Sequence, residues 1–164
     1  MKQFGLRRFI ETGTSSGSTL KFIARRGFQC KSVELGDKLF QAAQEKFAGY
    51  KNVELFHGDS GEVIPQILSD LREPALFWLD GHYSHGKPAC GEKETPIAEE
   101  LKAILNHEVY GHVILIDDAR FFTGENDYPV LHDLLCEIVD HGKYRYNINC
   151  DIISLLPMLA ESRQ

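Results

Sequence analysis

The stretch FIETGTSSGST, residues Phe9–Thr19, places two glycines and several small hydroxyl residues directly after a short apolar run. Apolar residues precede it and a helical pattern follows it, so it lies where a strand passes into a helix. A loop at such a junction is a common anion or nucleotide site in α/β proteins. The sequence therefore indicates an α/β fold with a ligand-binding loop after its first strand.

Composition describes one soluble domain. The chain has 164 residues, of which 43% are hydrophobic and 26% are charged, and this is enough to bury a core. We expect a single domain over residues 1–164. The net charge of -6, without any long block of Lys or Arg, argues against a nucleic-acid partner.

The apolar runs and the cysteines bear on the compartment. The longest apolar runs are too short to span a bilayer, and no apolar signal region stands at the N-terminus. Cys30, Cys90, Cys136 and Cys150 form no C-x-x-C pair and are expected to be reduced thiols. We therefore expect a cytoplasmic protein without a membrane partner.

Strand and helix patterns alternate along the chain. The predicted strands are Arg8–Glu11, Cys30–Leu35, Asn52–Asp59, Ala75–Asp80 and Val113–Asp118, followed by two more within Tyr144–Pro157 that are joined near Cys150. The predicted helices are Ser18–Gly27, Asp37–Tyr50, Ser60–Leu71, Thr95–Glu108 and Pro129–Gly142. This order predicts a Rossmann-like, doubly wound, mostly parallel seven-stranded sheet. Helices should cover both faces, and an antiparallel C-terminal hairpin should form one edge.

Three helix starts can be predicted in more detail. Asp37 is placed to cap the second helix. Pro65 is tolerated only in a first turn, so the third helix is expected to begin near Glu62. Thr95 should cap the fourth helix, with Pro96 at its first position.

Five predicted strands end in acidic residues or in a glycine and an acid. These are Glu11, Glu34, Gly58 with Asp59, Asp80, and Asp117 with Asp118. Each one alone could be a helix cap or a turn residue. Since the carboxyl ends of parallel strands share one edge, five together imply a cationic ligand, a hydroxyl-rich ligand or a metal ion.

The glycine spacing of the loop discriminates between ligands. Gly13 and Gly17 enclose three residues, and Ser15 stands where a dinucleotide fingerprint has its middle glycine, so a pyrophosphate and a nicotinamide cofactor fit poorly. The wider turn suits a ligand that carries a carboxylate and an ammonium, such as the methionine part of S-adenosylmethionine. Glu34 follows Gly13 by 21 positions, close to the interval at which an acid binds ribose hydroxyls.

Further motifs add a family resemblance that runs from Phe9 to Pro157. GDSGEVIPQI at 58–67, FWLDGHYS at 77–84 and LIDDARFF at 115–122 resemble class I S-adenosylmethionine-dependent methyltransferases. Within them, the motifs are most similar to metal-dependent O-methyltransferases of the catechol and macrocin types. The resemblance implies methyl transfer to a hydroxyl of a small-molecule acceptor, such as a sugar, a polyketide or a phenol, with help from a divalent metal.

The resemblance also implies roles for individual residues. The cofactor would be held by Glu11, Thr12, Gly13, Ser15, Gly17 and Thr19 at its methionine end, by Glu34 at the ribose, by Gly58, Asp59 and Ser60 at the adenine, and by Asp80. Asp80, Asp117 and Asp118 would bind a magnesium ion.

The general base departs from the family pattern, because Tyr83 stands where the family has a lysine. His82 is our first candidate, since a neutral imidazole suits proton removal near pH 7, and Asp80 is the other catalytic candidate. His85 lies on the other side of Tyr83 in the sequence.

The resemblance also implies N-terminal helices that cover the acceptor, whereas the predicted first strand already begins at Arg8, so we expect this cover to be missing or to come from elsewhere. The cover could come from residues 82–94, from residues 119–128, or from a second subunit in a homodimer. The alternative function is a catalytically silent domain that binds S-adenosylmethionine or a nucleotide as an interaction module.

Overall fold

The structure is a computed structural model that describes residues 4–81 and 95–158. Its strands are β1 Arg8–Thr12, β2 Gln29–Glu34, β3 Val53–His57, β4 Ala75–Leu79, β5 Val113–Ile116, β6 Tyr144–Asn149 and β7 Ile152–Pro157. Its helices are α1 Ser18–Ala24, α2 Asp37–Phe47, α3 Ser60–Ser69, α4 Ile97–Leu105 and α5 Leu131–His141, with a short 3-10 turn at Ala119–Phe121. No helix within these ranges has the length and apolar character needed to cross a membrane.

All seven strands form one sheet in the order β3-β2-β1-β4-β5-β7-β6. β1 to β5 are parallel, and β7 runs antiparallel to both β5 and β6. The predicted fold class is therefore confirmed, including the antiparallel hairpin at the edge. The strand order reverses between β1 and β4, and such a reversal opens a crevice at the carboxyl ends of the strands.

Helices cover both faces of the sheet because the strand residues alternate between the faces. In β4, the side chains of Ala75, Phe77 and Leu79 belong to the larger core, which α3, α4 and α5 cover. On the opposite face, α1 and α2 pack Leu20 and Phe47 into a smaller core. Burial of such side chains stabilises the fold by about 1.5–3 kcal/mol each.

One helix cap and one helix start differ from those that the sequence predicts. The N-cap of α2 is Gly36, not Asp37, because the Glu34 carboxylate accepts the Gly36 N–H at 2.9 Å and holds Gly36 extended. α3 begins at Ser60, because Asp59 caps it by accepting the Gly61 N–H at 2.8 Å. Pro65 consequently lies inside α3, on its exposed side, where water can reach the carbonyl that loses its partner.

The start of α4 is displaced by one residue. Its N-cap is Pro96 and its first helical residue is Ile97. The Thr95 hydroxyl still accepts the Ile97 N–H, at 3.4 Å, so it caps the helix from one position earlier than expected.

His112, just before β5, is a buried histidine that the fold keeps neutral. Its Nδ1 accepts the Ala75 N–H at 3.1 Å, and its Nε2 lies 2.9 Å from His107 Nδ1. His107 Nε2 in turn lies 3.0 Å from the Leu68 carbonyl oxygen. We assign both rings the Nε2–H tautomer, because only that tautomer satisfies this chain of contacts. Burial, and to a lesser extent His107, lowers the pKa of His112 to about 4.

We expect His112 to make the protein less stable in acid. The unfolded chain protonates this residue near pH 6.5, so its contribution to the free energy of unfolding is complete above pH 6.5 and is lost towards pH 4. The loss should reach about 3 kcal/mol, measured by urea unfolding across that interval. His112→Gln, whose amide oxygen can accept the Ala75 N–H, should lack this part of the pH dependence. An unchanged pH dependence in the variant would contradict the assignment.

Candidate functional site

The loop between β1 and α1 requires glycine at two positions. Gly13 and Gly17 have φ angles of 77° and 65°, in the left-handed region. A Cβ on Gly13 would lie 2.5 Å from the Asp80 carbonyl oxygen, and one on Gly17 would lie 2.8 Å from Cε2 of Phe47. The loop backbone therefore passes directly against the end of β4, at the point where the strand order reverses.

Glu34, at the end of β2, lies beside this loop. Its Oε2 accepts the Ser15 N–H at 2.7 Å, and its Oε1 accepts the Gly36 N–H at 2.9 Å. Ser15 itself has a φ of 48°. Because each carboxylate oxygen can accept two hydrogen bonds, Glu34 keeps one acceptor position on each oxygen for a ligand. The predicted ribose-binding acid is thus oriented by the loop that is predicted to bind the methionine end.

A helix residue fixes the other side of the loop. The ammonium of Lys46, in α2, donates to the carbonyl oxygens of Ser16 at 2.5 Å and Gly17 at 3.3 Å. Thr19, which the resemblance assigns to the methionine end of the cofactor, follows Gly17 by two positions and lies exposed in the first turn of α1. The loop is therefore held by backbone and side-chain contacts from both neighbouring elements.

Glu11 lies beneath the loop and is 2% exposed. Its Oε1 accepts the Ser32 hydroxyl at 2.8 Å, and the Ser32 oxygen lies 2.6 Å from the Thr14 hydroxyl oxygen. Burial raises the pKa of Glu11 to about 8, because it outweighs the Ser32 hydrogen bond, and the charges of Asp80 and Glu34 add to the rise. Glu11 is thus mainly a protonated acid at pH 7 that links the loop to β2.

The predicted adenine-side residues lie next to Glu34. The Gly58 N–H donates to the Glu34 carbonyl oxygen at 3.0 Å, and Gly58 has a φ of 145°. Asp59 follows as the cap of α3, and Ser60 is buried at the first position of the helix. The structure therefore brings the three predicted parts of the cofactor site together along β1, β2 and β3.

On the other side of the loop, three carboxylates follow β4 and β5. The Asp80 N–H donates to the Thr12 hydroxyl at 3.3 Å. Asp118 is in the left-handed region with a φ of 59°, and its N–H donates to Asp117 Oδ1 at 3.0 Å. Its own Oδ1 lies 2.7 Å from Nη1 of Arg120.

This arrangement does not fit the predicted magnesium ion. Within residues 4–81 and 95–158, no group of three or more His, Cys, Asp or Glu side chains is arranged to hold a metal. The Arg120 guanidinium supplies Asp118 with a positive charge that the sequence analysis assigned to magnesium. Asp80, Asp117 and Asp118 share one edge but are not a metal centre in the described part of the chain.

Tyr128 is a site residue that the sequence analysis named only within a possible covering segment. Its ring meets that of Phe122 edge-on, with centroids 5.3 Å apart. Burial raises the pKa of its phenol, the Thr95 hydroxyl opposes this, and the charges of Asp118 and Asp80 add to the rise. A neutral phenol is therefore available as a hydrogen-bond donor near the carboxylates. Nothing in the local sequence distinguishes it from a core aromatic.

Glu100 is a second residue that sequence reasoning missed. It lies in α4 and is fully buried at 0% exposure. Burial raises its pKa to about 7, because it outweighs the nearby Ser60 and Thr12 hydroxyls, while the charges of Asp59 and Glu99 raise it further. The signal was present, since an acid at this position falls on the apolar face of the helix, directly before Leu101.

The predicted base, His82, lies outside the described residues, as do Tyr83 and His85. The role of His82 stays a prediction. Asp80 is the catalytic candidate whose position the structure describes.

Sequence comparison finds similarity to part of the chain. No protein-family model matches it. Two curated relatives, both named ribosomal RNA small subunit methyltransferase A, come from two strains of Dehalococcoides mccartyi. One is 40% identical over 59 residues, which is 36% of this chain and 20% of the relative. The other is 39% identical over 65 residues, which is 40% of this chain and 22% of the relative. The match thus spans about a fifth of the relatives' length.

Solved structures match nearly the whole described fold. A candidate caffeoyl-CoA O-methyltransferase from Staphylococcus aureus has a TM-score of 0.65 and 13% identity, covering 94% of this chain and 78% of its own. A Podospora anserina methyltransferase bound to S-adenosylhomocysteine has a TM-score of 0.65 and 17% identity, with 94% and 72% covered. A 23S rRNA methyltransferase has a TM-score of 0.56 and 17% identity, with 96% and 65% covered. Together with the strand order, these similarities show that the chain has the Rossmann-like fold of the class I S-adenosylmethionine-dependent methyltransferases.

Proposed function

We propose that this chain transfers a methyl group from S-adenosylmethionine to a hydroxyl of a small-molecule acceptor. The observation that carries the proposal is the loop with left-handed Gly13 and Gly17, which lies against Glu34 on one side and Asp80 on the other. The loop backbone offers N–H and carbonyl groups to the amino-acid end of the cofactor, and Glu34 offers carboxylate oxygens to the ribose. The residues present therefore fit this cofactor.

Each part of the site then has a role. Gly13, Ser15 and Gly17 bind the methionine end of the cofactor. Glu34 accepts hydrogen bonds from the ribose hydroxyls, and Asp59 and Ser60 contact the adenine. The bound cofactor supplies a methyl group whose carbon is activated by the sulfonium. The protein's own contribution is mainly alignment, because the displacement requires the acceptor oxygen in line with that carbon.

Residues that follow β4 and β5 would bind the acceptor and remove its proton. The acceptor hydroxyl loses its proton as its oxygen forms the new bond to carbon, so a base is needed at this edge. We propose His82 for that role, with Asp80 orienting the hydroxyl and the Tyr128 phenol donating a hydrogen bond to the acceptor. No step uses magnesium, because the described carboxylates do not form a metal centre.

An RNA acceptor is a second candidate, supported by the names of the two curated relatives and by an excess of basic residues in the first third of the chain. Residues 1–51 hold ten of the 18 Lys and Arg residues but only four of the 24 Asp and Glu residues. A cavity of about 550 Å³ at the amino ends of the strands is lined by three of these basic residues, Arg8, Lys31 and Lys51, and by Arg72, together with the acidic residues Glu54, Asp70 and Glu73. Three of the four pair with neighbouring carboxylates. The two curated relatives are rRNA methyltransferases by name.

The test is a titration followed by a transfer assay. S-adenosylhomocysteine should bind to the purified protein in calorimetry, with a dissociation constant on the order of micromolar. Labelled S-adenosylmethionine should then methylate members of a panel of phenols and sugars, and not a small-subunit rRNA transcript. Methylation of the transcript alone would favour the RNA candidate.

Two controls separate the remaining outcomes. We expect EDTA to leave the transfer rate unchanged. A transfer rate that depends on added magnesium would instead support a magnesium ion bound by Asp80, Asp117 and Asp118. Binding without transfer to any acceptor would favour the silent interaction module. Absence of heat at about millimolar ligand would end the proposal altogether.

A further inference from the structure

The buried carboxyl group of Glu100 has no role in the function proposed above. Glu100 lies in the first turn of α4, and neither of its carboxyl oxygens makes a hydrogen bond within the described residues. Burial of a carboxyl without partners is costly, so a residue that only filled this space would be expected to be apolar. A carboxyl group at this buried position therefore indicates a specific role for Glu100.

Three oxygen atoms from three elements surround one side of Gly81, the residue after Asp80. A methyl group placed on Gly81 would lie 3.2 Å from Thr12 Oγ1 and 3.3 Å from both Ser60 Oγ and Glu100 Oε1. Thr12 ends β1, and Ser60 begins α3. The Glu100 carboxyl thus lies where the ends of β1 and β4 meet the starts of α3 and α4.

The two hydroxyls are suitable donors for this carboxyl. Thr12 Oγ1 accepts the Asp80 N–H at 3.3 Å, so its own hydrogen can be donated to another group. Ser60 Oγ lies at the same side of Gly81 as Glu100 Oε1 and can also donate to the carboxyl group. The Ser60 and Thr12 hydroxyls are close enough to lower the pKa of the Glu100 carboxyl, as donors to its charged form do.

The residues at the start of α4 contact Gly81 and the start of α3. The Thr95 hydroxyl donates to the Gly81 carbonyl oxygen at 3.3 Å. A Cβ on Gly61, in α3, would lie 3.4 Å from Pro96 Cβ, so the two helix starts are in close contact. The start of α4, which carries Glu100, is therefore in contact with both the end of β4 and the start of α3.

We propose that Glu100 is a positioning residue for the cofactor, which accepts the Thr12 and Ser60 hydroxyls and so sets the spacing between the end of β1 and the start of α3. This inference rests on the proposed function, because Thr12 and Ser60 belong to the predicted cofactor contacts. An apolar side chain of similar size would fill the same space but would leave the two hydroxyls unconnected.

The test compares Glu100→Leu with Glu100→Gln, using calorimetric titration of S-adenosylhomocysteine and thermal unfolding. For Glu100→Leu we expect the dissociation constant to rise about tenfold. Its Tm should be unchanged or higher, because leucine fills the same buried space without the cost of burying a carboxyl group. Glu100→Gln keeps an acceptor oxygen and should bind within about threefold of the wild type. A purely structural role would move affinity and Tm in the same direction.

Glu45→Leu, an exposed glutamate of α2, is the matched control and should leave both quantities unchanged. The inference fails if Glu100→Leu binds as tightly as the wild type, or if it loses affinity only together with Tm. It also fails if Glu100→Gln is as weak as Glu100→Leu. If the wild type itself does not bind S-adenosylhomocysteine, the proposed function fails first and this inference falls with it.

Discussion

Gly13→Ala should weaken cofactor binding severely. The new Cβ would lie 2.5 Å from the Asp80 carbonyl oxygen, and the residue has a φ of 77°. Neither the carbonyl nor the left-handed backbone can adapt without moving the loop away from the end of β4. We expect the dissociation constant for S-adenosylhomocysteine to rise about 100-fold or more. The free energy of unfolding should fall by more than about 1 kcal/mol.

Calorimetry and urea unfolding measure the two effects separately. Gly49→Ala is the matched control, because its φ is not in the left-handed region and a Cβ there would meet nothing within 4 Å. It should change neither quantity, within about 0.5 kcal/mol in stability. A Gly13→Ala variant that still binds S-adenosylhomocysteine like the wild type would remove the loop from the cofactor site.

Glu34→Ala is expected to have the next largest effect on binding. The change removes the acceptor for the N–H groups of Ser15 and Gly36 and also the predicted partner of the ribose. Hydrogen bonds to a charged group contribute about 1.5–3 kcal/mol each, so we expect a loss of about 2–3 kcal/mol in binding. This corresponds to about a 30- to 150-fold rise in the dissociation constant for S-adenosylhomocysteine.

The matched control for Glu34→Ala is Glu54→Ala, on the neighbouring strand β3. Glu54 pairs with Lys31 at 3.2 Å, and its side chain is largely exposed. Its removal should leave the dissociation constant within about twofold. Equal effects of the two changes would show that Glu34 acts through general charge and not through the loop and the ribose.

The general plan of the fold could be predicted from the sequence because its signals are local. The apolar runs identify β4 and β5, and the glycines of the loop identify the junction of β1 with α1. The mostly parallel seven-stranded sheet with an antiparallel edge hairpin followed from the alternating units together with the resemblance, and the structure confirms it and adds the strand order. Helix starts were less certain, because the N-caps of α2 and α3 depend on hydrogen bonds that form only with the fold around them.

The remaining parts of the site depend on side-chain geometry that no local pattern encodes. Asp80, Asp117 and Asp118 stand in the sequence as a metal triad would, but the structure pairs Asp118 with Arg120. Tyr128 reaches the acceptor edge from a loop without periodicity. Glu100 was visible only as an acid on an apolar helix face, and its neighbours Thr12 and Ser60 come from distant parts of the chain.

The position of β7 has a consequence for synthesis on the ribosome. β7 inserts between β5 and β6, and Ile114 of β5 pairs with Leu155, so an internal strand of the sheet is translated after all the other described strands. Until residues 152–157 leave the exit tunnel, β5 presents an unpaired apolar edge that can pair with another nascent chain. Because β7 follows the other described strands in the chain, closure of this side of the sheet should be a late step. Nascent chains that stop before β7 should therefore be the aggregation-prone products of this gene.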